Sequence, residues 1–212
     1  MCVGDIADEH GRYASLGAPV HWIHGNNDNF DAIAAGDLPA DLHHIDNGSG
    51  RDLETGCRDP RSGQVGMVIR QGVLSVAGLG GTFAPTWYDT AAADLPHPKK
   101  GSAKATELAD KRRHFVREEV ETCKLLRAVD VFLTHEAAKP FRVFPGGKGP
   151  DAGKAQINEI LRVMRPSLHL FGHHHRFSEQ TIEGIHSVGL DLVTRSYLLV
   201  HAATLDIDLR ET

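Results

Sequence analysis

The chain is poor in cysteine, contains no long apolar run and carries no excess of positive charge. Each shortage removes a class of protein. Its three cysteines (Cys2, Cys57, Cys123) are odd in number, widely separated and never spaced as Cys-x-x-Cys. They read as reduced thiols of a cytoplasm-like compartment, not as a disulfide framework. No stretch approaches the roughly 18 apolar residues that span a bilayer, so no membrane is expected as partner. The opening "MCVGDIADEH" is charged within its first turn and lacks an apolar h-region, so no secretory signal is expected there. A net charge of −5 does not favour nucleic acid or any other polyanion. What is left is an ordinary soluble globular composition, with 212 residues giving length enough for a single domain over 1–212 with its own core.

Histidine breaks that ordinariness, at 14 residues. It is the commonest metal ligand and the usual acid or base near neutral pH. The excess therefore points to a site, and the pattern of elements has to locate it.

Short apolar, β-branched runs recur at 2–5, 20–26, 65–70, 73–81, 129–135, 167–173 and 197–207. Near-continuous runs of this length suit strands buried on both faces. Helical patterns alternate with them. Ala103 to Leu126 is rich in helix formers and free of Gly and Pro, and Ala155 to Met164 is stopped by Pro166. This alternation predicts an α/β domain, and the run of strands after Phe177 predicts a sheet that is not purely parallel. The basic cluster "KRRHFVR" (111–117) falls inside the first helical pattern and reads as its solvated face. "GPDAGK" (149–154) imitates a phosphate loop but fails it. Three residues separate Gly149 from Gly153 where four are needed, and Ala155 follows Lys154 in place of Ser or Thr.

The residues that end the strands carry the chemistry. "CVGD" ends in Asp5, "VHWIHGNNDN" in Asn26, Asn27 and Asp28, "VDVFLTHE" in His135, and "LHLFGHHH" in His173, His174 and His175. In α/β sheets ligands gather beyond the carboxyl ends of strands. Carboxylate, amide oxygen and imidazole together suit Mn²⁺, Fe or Zn²⁺ better than Ca²⁺. A purification tag would sit at a terminus and not inside an apolar run. Strand alternation would send His173 and His175 to one face and His174 to the other.

Gly4-Asp5, Gly25-Asn26-x-Asp28, His135 in "LTHE" and Gly172-His173-x-His175 together resemble the motifs of the calcineurin-like metallophosphoesterases. The resemblance covers essentially the whole length. Within that family "VAGLGGTFAPTWYD" and "VDVFLTHEAAKPF" look most like the branch of lariat-debranching enzymes and their bacterial relatives. It implies a four-layer α/β/β/α sandwich holding two divalent ions, with Mn²⁺ foremost and Fe or Zn²⁺ as alternatives. By motif position Asp5 bridges the ions, Asn26, His135 and His173 complete one, and His175 binds the other. Asn27 and Asp28 are expected at the chemistry, with Asn27 and Arg176 contacting substrate. The implied activity is hydrolysis of a phosphodiester, in a small molecule or nucleotide, by a metal-activated water.

Two departures qualify that implication. The family's first motif, Asp-x-His at the end of the first strand, is missing, since only four residues precede Asp5. The expected sandwich therefore lacks its N-terminal strand, and the second ion is expected to be weakly held. Asn27 stands where many relatives have a His, and an amide donates a hydrogen bond but does not exchange a proton near pH 7. The alternative is an inactive or weakly active member, or a fragment, with a structural or binding role.

Overall fold

The computed structural model describes residues 1–47, 69–71, 74–98, 109–144 and 149–212. In chain order the strands are β1 (Val20–Trp22), β2 (Leu42–His44), β3 (Ile69–Gln71), β4 (Leu74–Leu79), β5 (Thr82–Phe83), β6 (His114–Phe115), β7 (Val131–Thr134), β8 (Leu168–Phe171), β9 (Ser178–Ile182), β10 (Ile185–Gly189), β11 (Ser196–Val200) and β12 (Ile207–Glu211). The helices are α1 (Phe30–Ala35), α2 (Arg117–Leu125) and α3 (Ala155–Met164). Six strands form the central sheet in the order β3-β4-β7-β8-β10-β9. β4, β7, β8 and β10 run parallel, and β3 and β9 close the two edges antiparallel. β1 and β2 form a separate parallel pair that Cys2 extends by a bridge to Trp22, and β11 and β12 form a hairpin.

Two apolar clusters hold the layers together. On one face of the central sheet Ala77, Leu79 and Phe132 pack under Val120 and Cys123 of α2 and Ile157, Ile160 and Leu161 of α3. On the other face Val76, Val131, Leu133, Leu170 and Val188 meet Val3, Ile23 and Ile45, with Leu198, Val200 and Ile207 of the hairpin partly buried against them. The β7 and β8 strands, buried at every residue, lie between the two clusters as their unbroken apolar runs predict. The result is the mixed α/β sandwich that the alternation implies. α1 is short and buries no residue. No helix among the described residues is long and apolar enough to cross a membrane.

Several elements differ from their sequence patterns. The helix expected over Ala103 to Leu126 begins only at Arg117 where it is described, and 103–108 lie outside the described residues. Residues 111–113 form a 3-10 turn, and His114–Phe115 pair as a strand with Thr82–Phe83. Phe115 is 1% exposed and its ring packs 5.9 Å from Phe83 and 6.4 Å from Tyr88. Burying such a ring stabilises by about 2–3 kcal/mol. The helix propensity forgone is a few tenths of a kcal/mol per residue, so packing wins. α2 then starts with Glu119 accepting from the Val116 N–H at 2.9 Å. The apolar run 197–207 is likewise two strands, broken by a turn that Leu205 completes at φ 61°. Of the run 65–70 only the last two residues are described, as part of β3, and Cys57 also lies outside the described residues.

One histidine belongs to this frame and not to any site. His169 of β8 is fully buried, with Nε2 2.8 Å from Thr134 Oγ1 and Nδ1 3.2 Å from Ser187 Oγ. Thr134 already donates to the Glu136 carbonyl, so its oxygen accepts from the His169 Nε2–H and the ring is neutral. Burial holds its pKa down at about 3. An unfolded chain binds that proton near pH 6.5, so the unfolded state carries more protons throughout the window from about 6.5 down to 3. Stability must therefore fall as the pH drops through that window. Urea unfolding at pH 7 and at pH 5 is expected to show the loss, and His169→Gln is expected to make it smaller. An unchanged pH slope in the variant would assign the loss to other groups.

Candidate metal centre

The site starts from the way residues 2–5 are held. Among the described residues the Cys2–Trp22 bridge alone pairs them with a strand, through Cys2 N–H to His21 O at 2.9 Å and Ile23 N–H to Cys2 O at 3.3 Å. The rest of the anchoring comes from Val3, buried between the sheets, and from Asp28. The Asp28 carboxylate, 6% exposed, accepts from the backbone N–H groups of Asp5 (2.9 Å), Ile6 (3.1 Å), Ala7 (3.2 Å) and Gly25 (2.6 Å). It thus ties the loop after Gly4 to the loop after β1. Both loops need glycine where they cross. A Cβ on Gly4 would stand 2.6 Å from the Gly25 backbone, and one on Gly25 would collide with the Asp5 carboxylate. Asp5 itself sits at φ 56°, His173 at 65° and His175 at 48°. Left-handed backbone at non-glycine residues costs free energy and concentrates at functional sites.

Four of the expected ligands come together. Asn26 Oδ1 lies 2.9 Å from His135 Nε2, His173 Nδ1 lies 3.1 Å from the same nitrogen, and Asp5 Oδ2 lies 3.6 Å from it. His135 is 1% exposed, and its Nδ1 stands 2.7 Å from the carbonyl oxygen of Val3. A carbonyl can only accept, so Nδ1 carries the proton. In the neutral ring Nε2 then presents a lone pair, and it presents it to the oxygen of Asn26. His173 is neutral at pH 7, because burial, helped by the neighbouring His135, lowers its pKa to about 4. The Asn26 oxygen and the His135 lone pair repel at 2.9 Å unless a cation lies between them, whereas His173 Nδ1 either donates to Nε2 or, in its other tautomer, offers a third donor atom to the same cation. Donors held about 2.1 Å from one ion at right angles stand about 3 Å apart, which is the spacing seen here. No three His, Cys, Asp or Glu side chains among the described residues are already set around a single ion position. A cation held by His135 and His173 would have to recruit the Asn26 amide oxygen and Asp5, whose Oδ2 lies 3.6 Å from His135 Nε2.

The remaining expected residues are placed differently. Asn27 is exposed, with its N–H on Asp5 Oδ1 at 2.7 Å and its Nδ2 on Asp5 Oδ2 at 3.1 Å. Asp28 does not face the convergence. Its oxygens accept from four backbone N–H groups, and through the Asp5 N–H it holds Asp5 in place. His175 is exposed and makes no hydrogen bond to the four. The expected strand alternation of the three histidines does not apply, because β8 ends at Phe171 and the left-handed residues 173 and 175 do the separating. His174 turns away onto Phe141, 4.6 Å between ring centres. Arg176, expected at the substrate, is spent elsewhere, donating to the carbonyls of Arg142 (3.1 Å) and Val143 (2.5 Å). Arg113 is the residue that the sequence reading passed over. Its Nη2 approaches Asn27 Oδ1 at 3.5 Å, beside the convergence, because residues 111–113 are not the solvated face of a helix.

The family model for calcineurin-like phosphoesterases matches residues 1–177. The chain belongs to that family. The match names no branch within it, so the likeness to lariat-debranching enzymes stays with the sequence motifs. Among solved structures, TT1561 of Thermus thermophilus is similar in fold at 13% identity and a TM-score of 0.53. The similarity covers 91% of this chain and 72% of that one. A second solved structure is similar at 14% identity and a TM-score of 0.56, covering 92% of this chain and 66% of its own. The chain thus spans a little under two thirds of the length of that second relative. No curated protein matches in sequence. In this calcineurin-like chain the site and its fold meet at one carboxylate, which makes a direct prediction. Asp28→Ala leaves four backbone N–H groups without an acceptor, at about 1–3 kcal/mol for each one that stays buried. Urea denaturation is expected to show at least about 3 kcal/mol lost. A variant as stable as the parent would show that Val3 and the bridge alone hold the loop.

Proposed function

We propose that this chain is a metal-dependent phosphoesterase that hydrolyses phosphodiesters at the cluster of Asp5, Asn26, His135 and His173. The observation that carries the reading is the placement of His135 Nε2, 2.9 Å from Asn26 Oδ1 and 3.1 Å from His173 Nδ1, with the ring oriented by the Val3 carbonyl. The mixed nitrogen and oxygen donors favour Mn²⁺, with Fe or Zn²⁺ as alternatives. A second, weaker ion would have to draw on Asp5 and the outlying His175. Bound divalent ions would acidify a water and neutralise charge on the phosphate.

The chain's own residues define the rest of the chemistry. Asp5 is oriented by two bonds from Asn27 and, through its N–H, by Asp28. Asn27 can donate a hydrogen bond to a phosphate or leaving oxygen, but it has no proton to transfer near pH 7. Substrates whose leaving oxygen needs no proton are therefore favoured, and a singly charged diester asks less neutralisation than a doubly charged monoester.

Bis(p-nitrophenyl) phosphate is the substrate of choice for a test. With Mn²⁺ its hydrolysis is expected to exceed that of p-nitrophenyl phosphate, to vanish with chelator, and to fall about 10²-fold or more in His135→Ala. Activity that survives His135→Ala would place the catalyst elsewhere. A chain that binds Mn²⁺ through these residues yet hydrolyses neither ester would instead be a binding member of the family.

A further inference from the structure

Two adjacent guanidinium groups beside the metal centre have opposite situations. Arg112 is fully matched. It donates to Asp110 from Nε at 3.0 Å and from Nη2 at 2.6 Å, donates to Asp31 at 2.7 Å, and lies 5.8 Å over the Phe30 ring. Arg113 is not. Among the described residues its guanidinium makes one hydrogen-bonding approach, 3.5 Å to Asn27 Oδ1, and pairs with no carboxylate. That distance is too long for a strong hydrogen bond.

The position of Arg113 is nevertheless fixed. β6 follows it directly and pairs with β5, and the Arg113 carbonyl accepts from Thr82 Oγ1 at 3.4 Å. The side chain is half-buried and reaches across Asn27, whose own amide holds Asp5. An open cavity of about 200 Å³ reaches Asn26 of the convergence, and its walls hold Asn27 and Arg113 together with Asp28, Asp31 and Asp110. A held main chain, a charge with no carboxylate partner among the described residues and open space that reaches Asn26 coincide at this one residue. A guanidinium keeps its charge at any working pH and offers parallel N–H groups that match phosphate oxygens.

We propose that Arg113 is a substrate-binding residue whose guanidinium takes a non-bridging oxygen of the phosphoester at the metal centre. The proposal rests on the phosphoesterase reading. It gives the pocket a function that Asn27 cannot supply, because an amide brings no charge to the phosphate. The occupant is defined by chemistry: a phosphoryl group with one oxygen directed at the ligand cluster and another directed at Arg113.

Orthophosphate is the probe, titrated calorimetrically into the Mn²⁺-loaded full chain and into its Arg113→Ala and Arg113→Lys variants. The alanine variant is expected to bind Mn²⁺ as the parent does and to bind phosphate about 10- to 100-fold more weakly, the usual range for one hydrogen bond to a charged group. Lysine is expected to recover part of that loss. Hydrolysis of bis(p-nitrophenyl) phosphate by Arg113→Ala should drop about 10²-fold in kcat/KM and be partly rescued by added guanidinium ion. Arg117→Ala, which removes an exposed charge paired with Asp89 on α2, should change neither measurement. Phosphate affinity and kcat/KM in Arg113→Ala within twofold of the parent would overturn the proposal and leave the phosphoesterase reading standing. If the Mn²⁺-loaded parent binds no phosphate at all, that reading falls and this proposal falls with it.

Discussion

The hydrogen bond from His135 Nδ1 to the carbonyl of Val3 is the contact on which the candidate site depends. At 2.7 Å and almost wholly buried, it decides which ring nitrogen keeps the proton. It also joins the carboxyl end of β7 to the segment that carries Asp5. Everything that makes the neighbouring side chains a potential ligand set follows from the one lone pair this bond leaves free. The same arrangement recurs in many metal sites, where the outer hydrogen bond of a ligating histidine fixes its tautomer and its orientation.

Around that bond the frame is built to bring loops closer than side chains normally allow. Gly4 and Gly25 cross where neither tolerates a Cβ, and the buried carboxylate of Asp28 gathers four N–H groups from the two loops. Left-handed backbone at Asp5 and His173 turns both side chains inward. The two apolar clusters supply the stability that these strained positions draw on, and the parallel strands β7 and β8 deliver His135 and His173 to the same rim. Function here is a small set of unfavourable local choices over-determined by a well-packed sandwich.

Much of this was legible in the sequence because it is local. The apolar runs and the residues that end them gave the mixed α/β fold and the four side chains that converge, since strand ends share a rim whatever lies between them. What was not legible is long-range. Asp28 belongs to the motif, but only the folded loop shows that its carboxylate gathers backbone amides from two loops. Arg113 looked like part of a charged helix, because the propensity of 103–126 does not reveal that Phe115 prefers the pocket formed by Phe83 and Tyr88. The histidine triplet obeys no strand period, because its backbone turns left-handed immediately after β8. His169, by contrast, ends no strand and was never a ligand candidate, and it serves the core as a neutral, doubly bonded ring.

A cation at the point between His135, His173 and Asn26 is the feature on which the proposed chemistry depends. The direct measurement is anomalous X-ray diffraction from crystals of the chain grown with Mn²⁺. The account predicts a peak about 2.0–2.3 Å from His135 Nε2, Asn26 Oδ1 and His173 Nδ1, with Asp5 drawn inward to join them. A Mn²⁺ peak only elsewhere on the chain, or none with the His135 Nε2 found protonated and donating to Asn26, would contradict it.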